Sequence, residues 1–242
     1  MNMDSDPPSA YRRILLKLSG EALAGSNGYG IEPGSIASIC EQIKEIKNLG
    51  MEIALVPGGG NIFRGFAASR VGMSRTDADY MGMLATLLNA MAMKDRLQTM
   101  GLEVNVMSAI TEDAYTETFV IRKARHYLEK GRVIILAGGT GNPFFSTDTA
   151  AALRASEIDA DVLLKATKVG GVYSDDPIKN KNAEFYPALT YMDVVEKDLK
   201  VMDMTAITLC KENKIPVIVF DMNKTGNLKK AVMGEKVGTI IS

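Results

Sequence analysis

One histidine and two cysteines in 242 residues leave little room for the usual nucleophilic or metal-binding chemistries. His126 lies among Arg122, Lys123, Arg125 and Lys130, on a stretch expected to form an exposed helix, and reads as a solvated side chain. Cys40 and Cys210 stand far apart, without the spacing of zinc ligands or of a redox pair. Ser–His or Cys–His catalysis and a histidine-rich metal site are therefore disfavoured, and a reducing compartment, the cytoplasm, is expected. No charge of one sign dominates either. The 28 Lys plus Arg against 29 Asp plus Glu leave a formal charge of −1, which provides no long-range field for nucleic acid or an anionic membrane. No apolar run is long enough to cross a bilayer, and the first residues lack the basic-then-apolar order of a signal peptide. The G-x-G-x-x-G and G-x-x-x-x-G-K-[ST] patterns are also missing, which argues against Rossmann dehydrogenases and Walker-type kinases.

What is present is a sizeable apolar fraction, 46%, enough for the core of one large α/β domain. Residues 1–10 are expected to be a disordered tail and residues 11–242 a single domain. Apolar runs at 14–18, 53–56, 104–107, 133–136, 162–164 and 217–220 are bounded by Gly, Pro or charged residues. Most are apolar throughout rather than alternating, as strands covered on both faces are, and the intervals between them accommodate crossover helices. A three-layer αβα sandwich with a mainly parallel sheet follows. Ser35 is expected to cap a helix with Ile36, Ile39, Cys40, Ile43 and Ile46 on one face, ending near Gly50. A longer helix is expected from about Asp77 to Met100, with Met83, Leu84, Leu87, Leu88 and Met91 on its apolar side and its methionines as core or subunit contacts. Residues 174–182, rich in Asp, Lys and Asn, read as an exposed loop.

Four strand ends carry residues that build sites, and in an open parallel sheet ligands bind at the carboxyl ends of strands. Lys17, Leu18, Ser19 and Gly20 close the first run; the lysine is either solvated or aimed at a phosphate-facing turn. Gly58, Gly59 and Gly60 expose backbone N–H groups that could cradle an anion, with Arg64 one helical turn on, unless the segment is simply a flexible turn. Residues 137–151, AGGTGNPFFSTDTAA, read as strand, glycine turn and helix N-terminus, where unpaired N–H groups favour an anion. Lys165 ends a fourth run, ahead of Gly170, Gly171 and Tyr173; the tyrosine could stack on a base or be an ordinary loop aromatic. Lysines, an arginine, glycine amides and aspartates without a histidine base suit phosphoryl transfer, which depends on alignment and charge neutralisation. A general base is dispensable if the acceptor is itself a phosphate, whose second pKa is about 6.

Several blocks, in order, are similar to those of bacterial-type uridylate (UMP) kinases of the amino acid kinase fold: RILLKLSGEAL at 13–23, GGGNIFRG at 58–65, DYMGMLAT at 79–86, GTGNPFFSTD at 139–148, KATKV at 165–169 and VMDM at 201–204. Departures are Pro57 ahead of the glycine triplet and Gly170 in place of a common Asp. The resemblance implies Mg2+-ATP-dependent conversion of UMP to UDP, a step of pyrimidine biosynthesis. Lys17, Lys165 and Asp148 would be catalytic, the lysines neutralising the moving phosphoryl group and Asp148 orienting them. ATP would meet Lys17, Leu18, Ser19, Gly20, Gly60, Arg64, Thr167, Tyr173 and Asp176. UMP would meet Gly59, Asp79, Thr140, Gly141, Asn142, Pro143, Phe144, Phe145, Ser146 and Thr147, with Asp79 on the ribose hydroxyls. Asp203 is a candidate near substrate or metal. The resemblance also implies a homohexamer inhibited by UTP and activated by GTP, with Gly25, Ser26, Asn27, Gly28, Tyr29 and Gly30 in the GTP-linked segment. Gln98 and Asn105 stand where strongly GTP-responsive relatives are basic. The competing readings are a kinase of the same fold with a carboxylate or carbamate acceptor, and a nucleotide-binding regulator without turnover.

Overall fold

The computed structural model describes residues 9–64, 72–110 and 112–242, so residues 1–8 of the expected tail and Gly65 of the GGGNIFRG block lie outside the described residues. Ala10 is tied to the domain, its N–H donating to Val232 O at 3.1 Å.

The six apolar runs are strands β1 (Arg13–Leu18), β2 (Glu52–Pro57), β3 (Val104–Ser108), β5 (Val133–Ala137), β6 (Val162–Thr167) and β10 (Val217–Asp221). Shorter strands join them: β4 (Glu117–Thr118), β9 (Ala188–Leu189) and β11 (Thr239–Ile241) in the same sheet, and the hairpin of β7 (Val172–Tyr173) with β8 (Phe185–Tyr186) apart from it. The nine-stranded sheet has the order β4-β3-β5-β2-β1-β6-β10-β11-β9. Every neighbouring pair is parallel except β10 with β11. β1 is central, with β2 on one side and β6 on the other, so chain direction across the sheet reverses at β1. The carboxyl ends of β1, β2 and β6 thus form the crevice in which such sheets bind ligands.

Helices cover both faces. On one side α2 (Pro33–Lys47), α3 (Arg75–Thr99) and α8 (Asn227–Val232) pack on Ile14, Leu16 and Leu18 of β1 and their sheet neighbours. On the other, α4 (Ile121–Glu129), α5 (Thr147–Glu157), α6 (Tyr191–Glu196) and α7 (Met204–Glu212) pack on the alternate set that includes Leu15, Ala54, Ile134 and Leu163. Strand alternation divides each apolar run between two cores, which is why the runs are continuous rather than alternating. A short helix α1 (Gly20–Leu23) and the turn Gly25–Asn27 follow β1 directly.

Two helix expectations are corrected. α2 begins three residues earlier than Ser35 as cap requires: Glu32 is the N-cap, its carboxylate accepting the Gly34 N–H at 2.9 Å and also the Ser35 N–H, with Pro33 opening the helix. Hydrogen bonds from Ser35 and Gly34 hold the Glu32 carboxyl below its ordinary value. In α3 the expected apolar side is in fact two faces. Met83, Leu87, Ala90, Met93 and Leu97 are buried, whereas Leu84 and Leu88 are 51% and 50% exposed beside Tyr80 and Met81. The second row lies outside the core and is available to another chain. His126 is exposed, as expected, and burial pushes the Cys40 and Cys210 thiols up to about 12, far from reactive.

Leu16 is fully buried on the middle strand, against both α2 and neighbouring strands. Leu16→Ala is expected to lower unfolding free energy by about 2–5 kcal/mol, the range for deleting a core leucine, as measured by urea titration.

Candidate active site

β1 and β6 are paired so that Lys17 lies opposite Lys165. Both side chains leave the sheet on the face covered by α5, where Asp148 occupies the first turn. Lys17 Nζ stands 2.8 Å from Asp148 Oδ1, and Lys165 Nζ donates to Asp148 Oδ2 at 2.6 Å. Lys165 also donates to Val201 O. Each side chain of this triad is 15% exposed or less. Burial would raise the Asp148 carboxyl, but Lys17 and Lys165 together outweigh it and hold the group below its ordinary value. For Lys165 the balance differs: burial, with Lys17 adding to it, lowers the ammonium despite Asp148. Two ammonium groups contact one carboxylate, with Asp203 acting on Lys165 from farther away, so direct contact matches only one of the two positive charges and a further anion placed there would be drawn in.

A cavity of about 690 Å³ opens on one side of the triad, and one of about 740 Å³ on the other. The first is lined by Gly59, Gly60, Arg64, Asp79, Thr140 and Phe144, and also by Phe145, Ser146 and Thr147. The second is lined by Lys165, Thr167, Tyr173 and Asp176 among others. Lys165 borders the second cavity while Thr147 and Thr149, on either side of Asp148, border the first, so the triad sits at their seam. In the first cavity Asp79 is held by Arg75 through Nε at 2.9 and 2.8 Å, and its Oδ2 accepts the Phe144 N–H at 2.7 Å. Phe144 has φ +72° and its ring lies 5.9 Å from the Arg75 guanidinium. Arg64 pairs with Glu21 at 2.6 Å. In the second cavity Tyr173 stacks edge-tilted on Phe185 at 5.2 Å, and Thr167 Oγ1 donates to Val169 O at 2.7 Å.

Several expected site residues also have framework roles. Leu18 is buried in the core and its carbonyl accepts the Gly58 N–H at 2.7 Å, so that amide does not face an anion. Ser19 caps α1, its Oγ accepting the Glu21 N–H at 3.1 Å, and a Cβ on Gly20 would stand 2.7 Å from Gly60 N. The helix N-terminus proposed for an anion is partly occupied, since Ser146 Oγ accepts the Asp148 and Thr149 N–H groups. Gly141, Asn142 and Pro143 shape the turn rather than line the cavity: the Gly141 N–H donates to Gly138 O and the Asn142 N–H to Thr140 Oγ1. Asp203 caps α7, accepting from Ala206 N at 2.9 Å and Thr149 Oγ1 at 2.8 Å, and bonds Ser146. Among the described residues no group of three or more His, Cys, Asp or Glu could hold a metal ion. Residues 25–30 form an exposed turn whose end is fastened to the glycine loop, the Gly30 N–H donating to Asn61 O at 2.8 Å.

Arg75, Glu21, Thr86 and Thr205 border the first cavity, and Lys200 and Asp198 the second, without having been singled out in the sequence. Arg75 alone left a usable signal, as a basic residue one turn before Asp79 on a helix.

The amino acid kinase family model matches residues 12–221. The UMP kinase of Bacillus anthracis is 38% identical with a TM-score of 0.93, over 96% of each chain. The UMP kinase of Ureaplasma parvum is 37% identical with a TM-score of 0.89, over 96% of this chain and 98% of its own. The uridylate kinase of Archaeoglobus fulgidus is 30% identical with a TM-score of 0.73, over 95% of this chain and 99% of its own.

The lowered folded value of Asp148 means that its contribution to stability is complete above its ordinary value of 3.8 and is lost as pH falls through the folded value. Asp148→Asn is expected to cost about 3–5 kcal/mol near neutral pH, because two buried lysines lose their partner. The gap from wild type should narrow as pH is lowered below 3.8, as read by urea unfolding at a series of pH values.

Proposed function

The chain belongs to the amino acid kinase family, and we propose that it is a UMP kinase, transferring the γ-phosphoryl group of ATP to UMP with release of UDP and ADP. The observation that carries this reading is the Lys17–Asp148–Lys165 triad at the seam of two cavities, each large enough for a nucleotide. The first cavity takes UMP, with its phosphate toward Gly59 and its ribose toward Asp79, while Gly60 and Arg64, which line the same cavity, meet the phosphates of ATP. The second takes the adenosine of ATP, near Tyr173, Thr167 and Asp176, and directs the triphosphate back to the seam.

A phosphate oxygen of UMP attacks the γ-phosphorus in line, the bond to the bridging β–γ oxygen breaks, and ADP leaves with that oxygen. The acceptor is mostly ionised at neutral pH, its second pKa being about 6, so no proton must be removed by the protein. The obstacle is repulsion between anions, and Lys17 and Lys165 meet it from fixed, desolvated positions. Asp148 keeps the two lysines at one point without cancelling their charge. Kinases of this kind generally use Mg2+, which neutralises charge on the transferring group when bound. A hard cation that dehydrates reluctantly suits ATP oxygens and retained waters. Asp148 is engaged by the lysines and Asp203 by Ser146, Thr149 and Ala206, so a metal ligated by either would share its carboxylate with these partners.

Residues 11–242 act as one kinase unit in this reading, with the cytoplasm as its compartment. No helix among the described residues is long and apolar enough to cross a membrane. The exposed row Tyr80, Met81, Leu84 and Leu88 on α3 supports self-association, to a homohexamer. UTP is the proposed inhibitor. GTP is the proposed activator, acting through residues 25–30, which join the glycine loop at Asn61.

ADP release in Mg2+-ATP is to be compared for UMP, CMP, dUMP, glutamate, carbamate and no acceptor. UMP-selective turnover is expected; turnover only with glutamate or carbamate would move the chain elsewhere in its family, and UMP binding without turnover would make it a regulator. Lys17→Ala should lower kcat by about 100-fold or more, as loss of a preorganised charge at the transferring group does, with a smaller change in KM for UMP. Asp79→Asn should reduce the preference for UMP over dUMP, read as the ratio of kcat/KM values.

A further inference from the structure

α3 carries two buried polar side chains in the middle of an apolar face, Thr86 at 2% exposure and Asn89 at 0%. Three residues apart, they lie on one side of the helix. Thr86 Oγ1 accepts the Gly138 N–H at 2.8 Å and donates to Met83 O at 2.6 Å. Asn89 Nδ2 donates to Gly58 O at 2.6 Å and to Asn61 Oδ1 at 2.7 Å, while its own Oδ1 accepts from Asn61 Nδ2 at 3.0 Å. Gly58 follows β2 and Gly138 follows β5, and those strands are neighbours in the sheet. One rigid helix is therefore fastened to both glycine turns of the acceptor cavity.

The approach is close as well as polar. A Cβ on Gly59 would stand 2.7 Å from Gly82 O and 2.9 Å from Ala85 Cβ, so the loop lies directly on α3. Gly138 has φ +77°, a conformation that favours the absence of a side chain, and its buried amide needs a hydrogen-bond partner. A helix that only had to pack would carry apolar residues at both positions, as it does at Leu87, Ala90 and Met93.

We propose that Thr86 and Asn89 are positioning residues for the transfer step, which hold the Gly58–Asn61 turn and the Gly138–Gly141 turn at the separation that a bound acceptor nucleotide spans. Thr86 governs the second turn and Asn89 the first. This inference rests on the UMP kinase reading of the same cavity.

The test compares wild type with Thr86→Val, Thr86→Ser and Asn89→Leu, by steady-state kinetics with UMP and by amide hydrogen exchange of the whole chain. Thr86→Val keeps the volume and removes both bonds, and kcat is expected to fall about tenfold to a hundredfold, as for a displaced reacting group. Thr86→Ser should return kcat to within about twofold of wild type, because the hydroxyl alone carries the contact. Exchange should quicken at residues 138–141 in Thr86→Val and at residues 58–61 in Asn89→Leu, each without the other. Uniformly faster exchange across the chain, or a folded Thr86→Val with wild-type kcat and wild-type exchange at 138–141, would overturn the proposal. Should Asn89→Leu fail to fold, the Thr86 pair decides it. A wild type inactive on UMP would remove the functional reading, while the turn-specific exchange would still decide the positioning role.

Discussion

One carboxylate held between two lysines is the constraint on which the rest of the site depends. Lys17 and Lys165 are buried and adjacent across a parallel strand pair, an arrangement that alone would drive them apart. Asp148 makes the pair tolerable, yet it offsets only one of the two charges. The remainder is a standing demand for an anion at the one place where both cavities meet. Burial lowers the Lys165 ammonium despite Asp148, and a transferring phosphoryl group is the kind of charge that favours its protonated form.

Keeping that arrangement requires the sheet and α5 to be fixed relative to one another. β1 and β6 contribute the lysines from paired positions on neighbouring strands in the middle of the sheet, where each strand is covered on both faces and cannot slip. α5 contributes Asp148 from a first turn fixed by the Ser146 cap, and Ser146 is bonded to Asp203, the cap of α7. The two caps thereby share one polar junction beside the triad. A change in either helix start would be felt at Asp148 before it was felt in the core.

α3 organises the acceptor side in the same spirit. It supplies Asp79 and Arg75 from its first turns, bonds to both glycine turns from its middle, and exposes an apolar row on its outer side. The turn at residues 25–30 reaches the same buried amide pair, since Asn61 Nδ2 donates to Gly30 O at 2.8 Å. Site, peripheral turn and outer helix face are therefore mechanically continuous through Asn61 and Asn89.

The main strands, the parallel sandwich and the strand-end lysines and glycines were legible in the chain, because a strand buried on both faces leaves an uninterrupted apolar run and a turn that needs positive φ leaves glycine. β4, β7, β8 and β9 were not: at two residues each they have no periodicity, and pairing with a neighbour is all that makes them strands. Glu32 displaced Ser35 as a cap because Pro33 fixes where α2 can begin, and Leu84 and Leu88 left the core because a helix face is narrower than its apolar content suggested. Residue types at the site, then, follow from local backbone needs that sequence records. Which of them meet was decided by tertiary structure: the register that sets Lys17 beside Lys165, the burial that turns Thr86 and Asn89 from ordinary polar residues into anchors, and the capture of Asp79 by Arg75 and Phe144. Contact between distant segments depends on how helices and strands pack, and no local pattern encodes it.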